Sequence, residues 1–275
     1  MKLALGNSLA TQRIGGAVGF SAEAQQFFDR LLTPPDDARA LVYAAFIDAL
    51  VAGGVWAKLD GLYVFCAADE GTAFTNLISA NYTATRRESS GTVTFTVDEG
   101  VSGGGAVRYL STQFNPTIAA SPNFTQNDAM IGGWSSNDAL VTNQQFVGDG
   151  DSGTAPAGGD VKMEFYPVYN GTSTVYFMLN AAGPSITATN PNGSDSSGLF
   201  LGQRYNSASQ ALLQNGVVIA AGTGASSAPN NEELYFRCAW PTRLGLWGAS
   251  LNAGQRSALQ DACENLIASI TGGLP

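Results

Sequence analysis

KMEFYPVYNGTSTVYFML, residues 162–179, is the stretch whose reading decides the fold. Two short runs rich in aromatic and β-branched residues flank Asn170-Gly171, a dipeptide that accepts the left-handed backbone of a tight hairpin turn. The stretch therefore reads as two antiparallel strands. QALLQNGVVIA, residues 210–220, repeats the arrangement around Asn215-Gly216. In TVTFTV, residues 92–97, strict alternation places Val93, Phe95 and Val97 on one face and three threonines on the other, as in a half-buried strand. Further strands are expected over residues 129–134, 199–205 and 234–240. Many short strands joined by Gly/Asn turns predict a closed or sandwiched antiparallel sheet.

The flanks follow a different period. Residues 1–20 carry four glycines and no clear pattern, and read as an extended arm. Ser21 then caps a helix in which Ala24, Phe27, Phe28 and Leu31 form one stripe. A second helix is expected with Thr33 as its cap and Pro34 at its first position, carrying Tyr43, Phe46, Ile47 and Leu50 and stopping at Gly53-Gly54. GVWAKLDGLYVF, residues 54–65, marks the change to the strand period, with Trp56, Leu59, Leu62 and Tyr63 packing at the junction beside Lys58 and Asp60. At the other end, Asn252 and Gln255 have the spacing of a capping box. The helix after them carries Leu259, Cys263, Leu266, Ile267 and Ile270 on one side.

Composition narrows the function classes. Charged residues are 13% of the 275, with a net charge of −9 from 22 acids and 13 bases. Nucleic acid and anionic membrane both demand a basic face, so neither is expected as a partner. No run approaches the roughly 20 apolar residues of a membrane span, and Asn7 and Ser8 break the short apolar start before a signal-peptide core can form. Cys66, Cys238 and Cys263 are odd in number and scattered within apolar patterns, which fits buried thiols better than a disulfide framework or zinc site.

The chain has no histidine, so Ser-His-Asp and Cys-His devices and histidine metal sites are excluded. Glycoside hydrolysis calls for two facing carboxylates; most acids here lie in turns, and Glu164 alone sits in an apolar strand. Asp149, Asp151 and Asp160 lack the spacing and closing Glu of a twelve-residue calcium loop, and the glycines at 103–105 lack the Lys-Ser/Thr of a phosphate cradle. No metal or cofactor is expected. Sugar binding asks for an aromatic face beside hydrogen-bonding side chains. Trp134 with Asn137 and Asp138, and Tyr205 with Asn206, have that composition, although Trp134 and Tyr205 fit a strand-end core position equally well. Trp240 and Trp247 read as core.

One resemblance spans residues 35–270. A helix ending in Gly-Gly, then GVWAKLDGLYVFCAADEGTAFTNL, FTVDEGVSGGGAVRYLSTQFNP, FTQNDAMIGGW, and a late GQR before the QNG hairpin together resemble bacteriophage and prophage tail or head appendage proteins with a concanavalin A-like (LamG-like) body. The resemblance rests on order and spacing. It implies a mainly β, antiparallel jelly-roll sandwich with N-terminal helices and a C-terminal helix. The corresponding division is an arm (1–20), a helical attachment segment (21–54), a lectin-like sandwich (55–250) and a packed terminal helix (251–275).

It also implies a virion component, assembled in the bacterial cytoplasm and exposed on the particle. Its expected partners are other virion proteins, through the arm and helices, sister copies in a homo-oligomer, and host-surface glycans. The E-x-D-x-x-E signature of related glucanases is absent, so no enzyme activity is expected. The competing readings are a polysaccharide-degrading enzyme acting through Glu164 and an assembly protein without ligand.

Overall fold

The computed structural model describes residues 19–88, 91–103, 108–120, 122–136, 146–149, 163–169, 174–181, 186–189, 197–239 and 241–272. Residues 1–18 of the expected arm, the Asn170-Gly171 turn, Asp151, Asp160, Gly104, Gly105 and Trp240 lie outside them, as do Asn137 and Asp138. In chain order the helices are α1 (Ala22–Phe28), α2 (Asp37–Ala52), α3 (Glu70–Phe74) and α4 (Ala253–Thr271). The strands are β1 (Leu59–Val64), β2 (Thr85–Glu88), β3 (Thr94–Thr96), β4 (Gly100–Ser102), β5 (Arg108–Ser111), β6 (Ala129–Ser135), β7 (Val147–Asp149) and β8 (Met163–Tyr169). They continue with β9 (Thr174–Leu179), β10 (Ile186–Thr189), β11 (Gly198–Arg204), β12 (Ser209–Gln214), β13 (Val217–Thr223), β14 (Leu234–Phe236) and β15 (Thr242–Gly248).

These strands form two antiparallel sheets. The first runs β13-β12-β11-β6-β15-β4-β3, with β1 also paired to β15; the second runs β10-β9-β8-β7-β14-β5-β2. Between them lies a core of aromatic and aliphatic side chains that includes Tyr63, Phe146, Phe165, Phe177, Phe200, Phe236 and Trp247. Three glycines of the first sheet make room for rings of the second. A Cβ on Gly202 would lie 2.0 Å from Phe177, one on Gly133 3.0 Å from Phe146, and one on Gly245 2.8 Å from Phe236. The sheets approach closely where a ring from one fills the missing side chain of the other.

A second core lies on the far side of the first sheet. There Leu62, Val64, Leu199, Leu201, Leu213, Leu244 and Leu246 meet Phe27, Tyr43, Phe46, Ile47 and Leu50 from the N-terminal helices, and Leu259, Cys263, Leu266, Ile267 and Ile270 from α4. The molecule is thus three layers: helices, first sheet, second sheet. Asn252 and Gln255 form the capping box at the start of α4, and Arg39 holds α2 to the β3–β4 turn through a 2.8 Å ion pair with Asp98. All three cysteines are free and buried; burial pushes the Cys66 and Cys238 thiols up to about 12.

Local details depart from expectation for identifiable reasons. The cap of α2 is Asp36, whose carboxylate accepts from the Arg39 amide at 2.8 Å, and Thr33 is not part of that helix. A residue before proline is pushed out of the helical region, and Pro34-Pro35 delays the helix until Asp36, whose own backbone is extended. In residues 92–97, Val93 is buried but Val97 is half exposed, because Asp98 turns the chain with φ of 61° and cuts β3 to three residues. The strand expected over 234–240 stops at Phe236, two residues before Cys238 with φ of 48°. At the QNG hairpin, Asn215 (φ 49°) and Gly216 (φ 76°) adopt the paired left-handed conformation that their sequence calls for.

Candidate functional site

The junction at residues 54–65 holds no reactive pair. Lys58 ends a 3-10 turn (Trp56–Lys58) and Asp60 lies in β1. The Asp60 carboxylate accepts from the backbone amides of Asn123 and Phe124, both at 2.7 Å, pinning the loop before β6. Burial raises its pKa, against the pull of those two amides. Leu59 and Leu62 join the helix-side core and Tyr63 the core between the sheets.

Of the described residues expected to bind sugar, Trp134 and Tyr205 lie far apart. Ala129 pairs with Arg204 and Trp134 with Leu199, so Trp134 and Tyr205 stand at opposite ends of the β6–β11 ladder, about 20 Å apart at ~3.3 Å per residue. Both pack against the helix-side core. The Tyr205 hydroxyl accepts from Arg256 at 2.7 Å, in a cavity of about 360 Å³ shared with Lys58, Asp128 and Ser250. Asn206 uses its side-chain carbonyl to accept from the amides of Ala208 (2.8 Å) and Ser209 (2.9 Å), shaping the turn into β12.

A different surface collects the chemistry. In β8 and β9, Met163, Phe165, Val175, Phe177 and Leu179 point into the core between the sheets, so alternation sends Glu164, Tyr166, Tyr176 and Met178 to the outer face. In β14, Leu234 and Phe236 point inward and Tyr235 outward. Register then assembles the rows: Glu164 stands opposite Met178 and Gly148, Gly148 opposite Tyr235, and Tyr235 opposite Ser111. Gly148 leaves a gap between the Glu164 and Tyr235 side chains. One row along, Tyr166 stands opposite Tyr176 and Tyr109 opposite Arg87, and Arg237 follows Phe236, the partner of Leu110.

The groups on this face hold one another. The Tyr166 and Tyr176 rings meet edge to face at 5.5 Å, and those of Tyr109 and Tyr235 lie 4.8 Å apart. The Arg237 guanidinium sits 5.4 Å from the Tyr235 ring centroid, a cation–π distance, and donates to the Tyr235 hydroxyl at 3.3 Å. Tyr166 donates to Glu164 Oε1 at 3.3 Å, and Tyr176 also hydrogen-bonds that carboxylate. At the margin, Ser111 donates to Glu233, which lies 3.9 Å from Arg87. Burial raises the Glu164 carboxyl above the ordinary range, against the two tyrosine hydroxyls and the Arg237 charge. Burial also raises the Tyr166 hydroxyl, helped by the negative charge of Glu164.

Tyr109, Tyr166, Tyr176 and Arg237 are half-buried, so rings and guanidinium are fixed in place yet still offer surface. Such a face can stack the apolar side of a ring-shaped polyol, while a carboxylate and a guanidinium take its hydroxyls in paired hydrogen bonds. Among the described residues no group of three potential metal ligands is found. Asp149, the described member of the aspartates weighed for calcium, receives a hydrogen bond from the Met163 amide at 3.2 Å. Sequence reasoning singled out Glu164 but missed the tyrosines. For Tyr166 and Tyr176 the available signal was their alternation with core residues along the two runs of the opening hairpin.

No protein-family model and no curated protein matches the chain. Among solved structures it is similar to the binding domain of botulinum neurotoxin serotype D, with a TM-score of 0.50 and 10% identity over 78% of this chain and 52% of that one. It is also similar to domain 4 of AbnA, an extracellular GH43 arabinanase from Geobacillus stearothermophilus solved with arabinotriose (TM-score 0.49, 14% identity, 74% of this chain and 98% of that one). A third similar structure is Trypanosoma rangeli sialidase in complex with sialic acid (TM-score 0.48, 10% identity, 76% and 34%). The chain thus spans about half of the toxin chain and a third of the sialidase chain. At these identities the likeness to the toxin domain is one of fold: a two-sheet β-sandwich.

Proposed function

We propose that this chain is a polysaccharide-binding, non-enzymatic component of a bacteriophage or phage-like particle, and that the outer face of the second sheet is its glycan platform. The observation that carries the reading is the cluster of Tyr109, Tyr166, Tyr176 and Tyr235 around Glu164 and Arg237. The particle is argued from the sequence alone, through the order of segments shared in pattern with phage appendage proteins. In this account the arm and the outward sides of α1 and α2 contact other virion proteins, and weak single-site affinity is raised by several copies acting together.

The test uses the full chain, because the helices are part of its core. Incubated with host cells before infection, the purified protein is expected to block particle adsorption, and Tyr166→Ala together with Tyr176→Ala to abolish the block without loss of fold. Adsorption untouched by saturating wild-type protein would overturn the host-recognition reading.

A second reading has its own observation: the Glu164 carboxyl, raised by burial and hydrogen-bonded by two tyrosines, is tuned as an acid in a glycoside-cleaving site is tuned, and that reading requires a second carboxylate to face it. It predicts sugar release from host polysaccharide, abolished by Glu164→Gln. The binding account predicts no released reducing ends or unsaturated sugars from either protein.

A further inference from the structure

Beyond the ends of β2 and β5, the loops containing residues 75–84 and 112–120 border an open pocket of about 370 Å³, toward the small end of the ~300–1,000 Å³ range of ligand pockets. Its lining is mixed: Tyr82, Ile118, Ala119 and Ala120 offer apolar surface, and the amides of Asn81, Gln113 and Asn115 make at least as large a polar share. No charged side chain lines it. Nearby charge is negative: Asp60 acts on the Tyr82 hydroxyl.

The open pocket is shaped by specific interactions of its two loops. Six non-glycine residues in the described chain have left-handed backbone, and two of them, Tyr82 (φ 63°) and Gln113 (φ 59°), line this one cavity. Such conformations are costly and persist where the surroundings enforce them. The Tyr63 hydroxyl donates to the Tyr82 carbonyl, Asn76 Nδ2 to the Asn81 carbonyl at 3.0 Å, and Gln113 Nε2 to the Thr83 carbonyl at 2.6 Å, which ties the two loops together. Asn115 is fixed by Asn231 at 2.9 Å and by Thr117. The Tyr82 ring stands edge-on to Phe114 at 5.2 Å. What this scaffold leaves unpartnered among the described residues is the Asn81 side-chain amide and Gln113 Oε1, one amide group and one acceptor beside an aromatic and an aliphatic wall.

We propose that this pocket is a second saccharide site, one that takes a single uncharged pyranose packed against Tyr82 and Ile118 and hydrogen-bonded by Asn81 and Gln113. It stands on residues separate from the tyrosine face and differs in ligand class, since the face carries Glu164 and Arg237 and the pocket carries no charge.

The test is an NMR titration of the full chain with glucose, galactose, mannose and N-acetylglucosamine, and with glucuronate as the charged comparison, read at the side-chain amides of Asn81 and Gln113. At least one neutral sugar is expected to shift these signals at millimolar concentration. Asn81→Ala and Ile118→Ser, both at exposed positions, are expected to weaken that sugar at least tenfold, and Glu164→Gln to leave it unchanged. The proposal is overturned by no shift with any of the four neutral sugars, by shifts with glucuronate alone, by shifts that persist undiminished in both variants, or by broadening with protein concentration that marks a second copy in the pocket. Loss in Glu164→Gln would place the sugar on the sheet face instead.

Discussion

Glu164 carries the clearest conflict between stability and use. It is 8% exposed, and burial disfavours its charged form. A carboxyl whose pKa is higher folded than unfolded supports the fold fully below the unfolded value and loses that support as pH rises through the folded one. At neutral pH the ionised Glu164 therefore costs stability. Glu164→Gln is expected to raise Tm at pH 7, with the gain shrinking to nothing as pH falls below the ordinary glutamate value of about 4.3, and to weaken polysaccharide binding by about tenfold, ~1.4 kcal/mol. Thermal melts across pH, paired with binding at pH 7, check both arms. A destabilised Glu164→Gln with unchanged binding would make the carboxylate a structural group. Residues that keep a site poised at the expense of stability follow this pattern. Asp60 contrasts with it, since its carboxylate is consumed by two backbone amides.

Among the elements, α1 and α2 belong to the expected attachment segment, and their apolar side packs inside the molecule. Phe27, Leu31, Tyr43, Phe46, Ile47 and Leu50 are buried there, and large side chains contribute about 1.5–3 kcal/mol each on burial. Together they rival the roughly 5–15 kcal/mol that holds a whole domain folded. A chain beginning at residue 55 is expected to aggregate or to unfold without a cooperative transition; a cooperative melt for that chain would contradict the three-layer account.

What was legible before the structure follows from the same layers. The QNG turn, the Ser21 cap, the capping box and the α4 stripe are local signals and stand where expected. β15 passed unseen as a strand because helices cover one face of its sheet and the core the other. Six of its seven residues are buried, and the period-two alternation that marks a half-buried strand is lost. Trp134 and Tyr205 fitted a platform by composition, but only tertiary structure shows that helices lie over that face. The reverse held for Tyr166 and Tyr176. Tyrosine reads alike whether it faces core or solvent, so alternation with Phe165 and Phe177 separates the two sets of side chains, and the fold decides which set faces outward.

For the molecule as a whole, the layers leave one broad sheet face without a described helix packed on it: the outer face of the second sheet. That face holds the tyrosine cluster, while the first sheet is covered by helices on one side and by the second sheet on the other. Charged residues are few, 13% of the chain with a net −9, and on this face Glu164 and Arg237 stand among the tyrosines. The central claim is that glycan binds at this face rather than where the sequence first placed it. The most direct measurement is calorimetric titration of host-surface polysaccharide into the full-length wild type, Tyr166→Ala, Tyr176→Ala and Trp134→Ala, with folding checked for each. The account predicts at least a tenfold loss for each tyrosine variant and none for a folded Trp134→Ala; loss at Trp134 with full affinity in both tyrosine variants would contradict it.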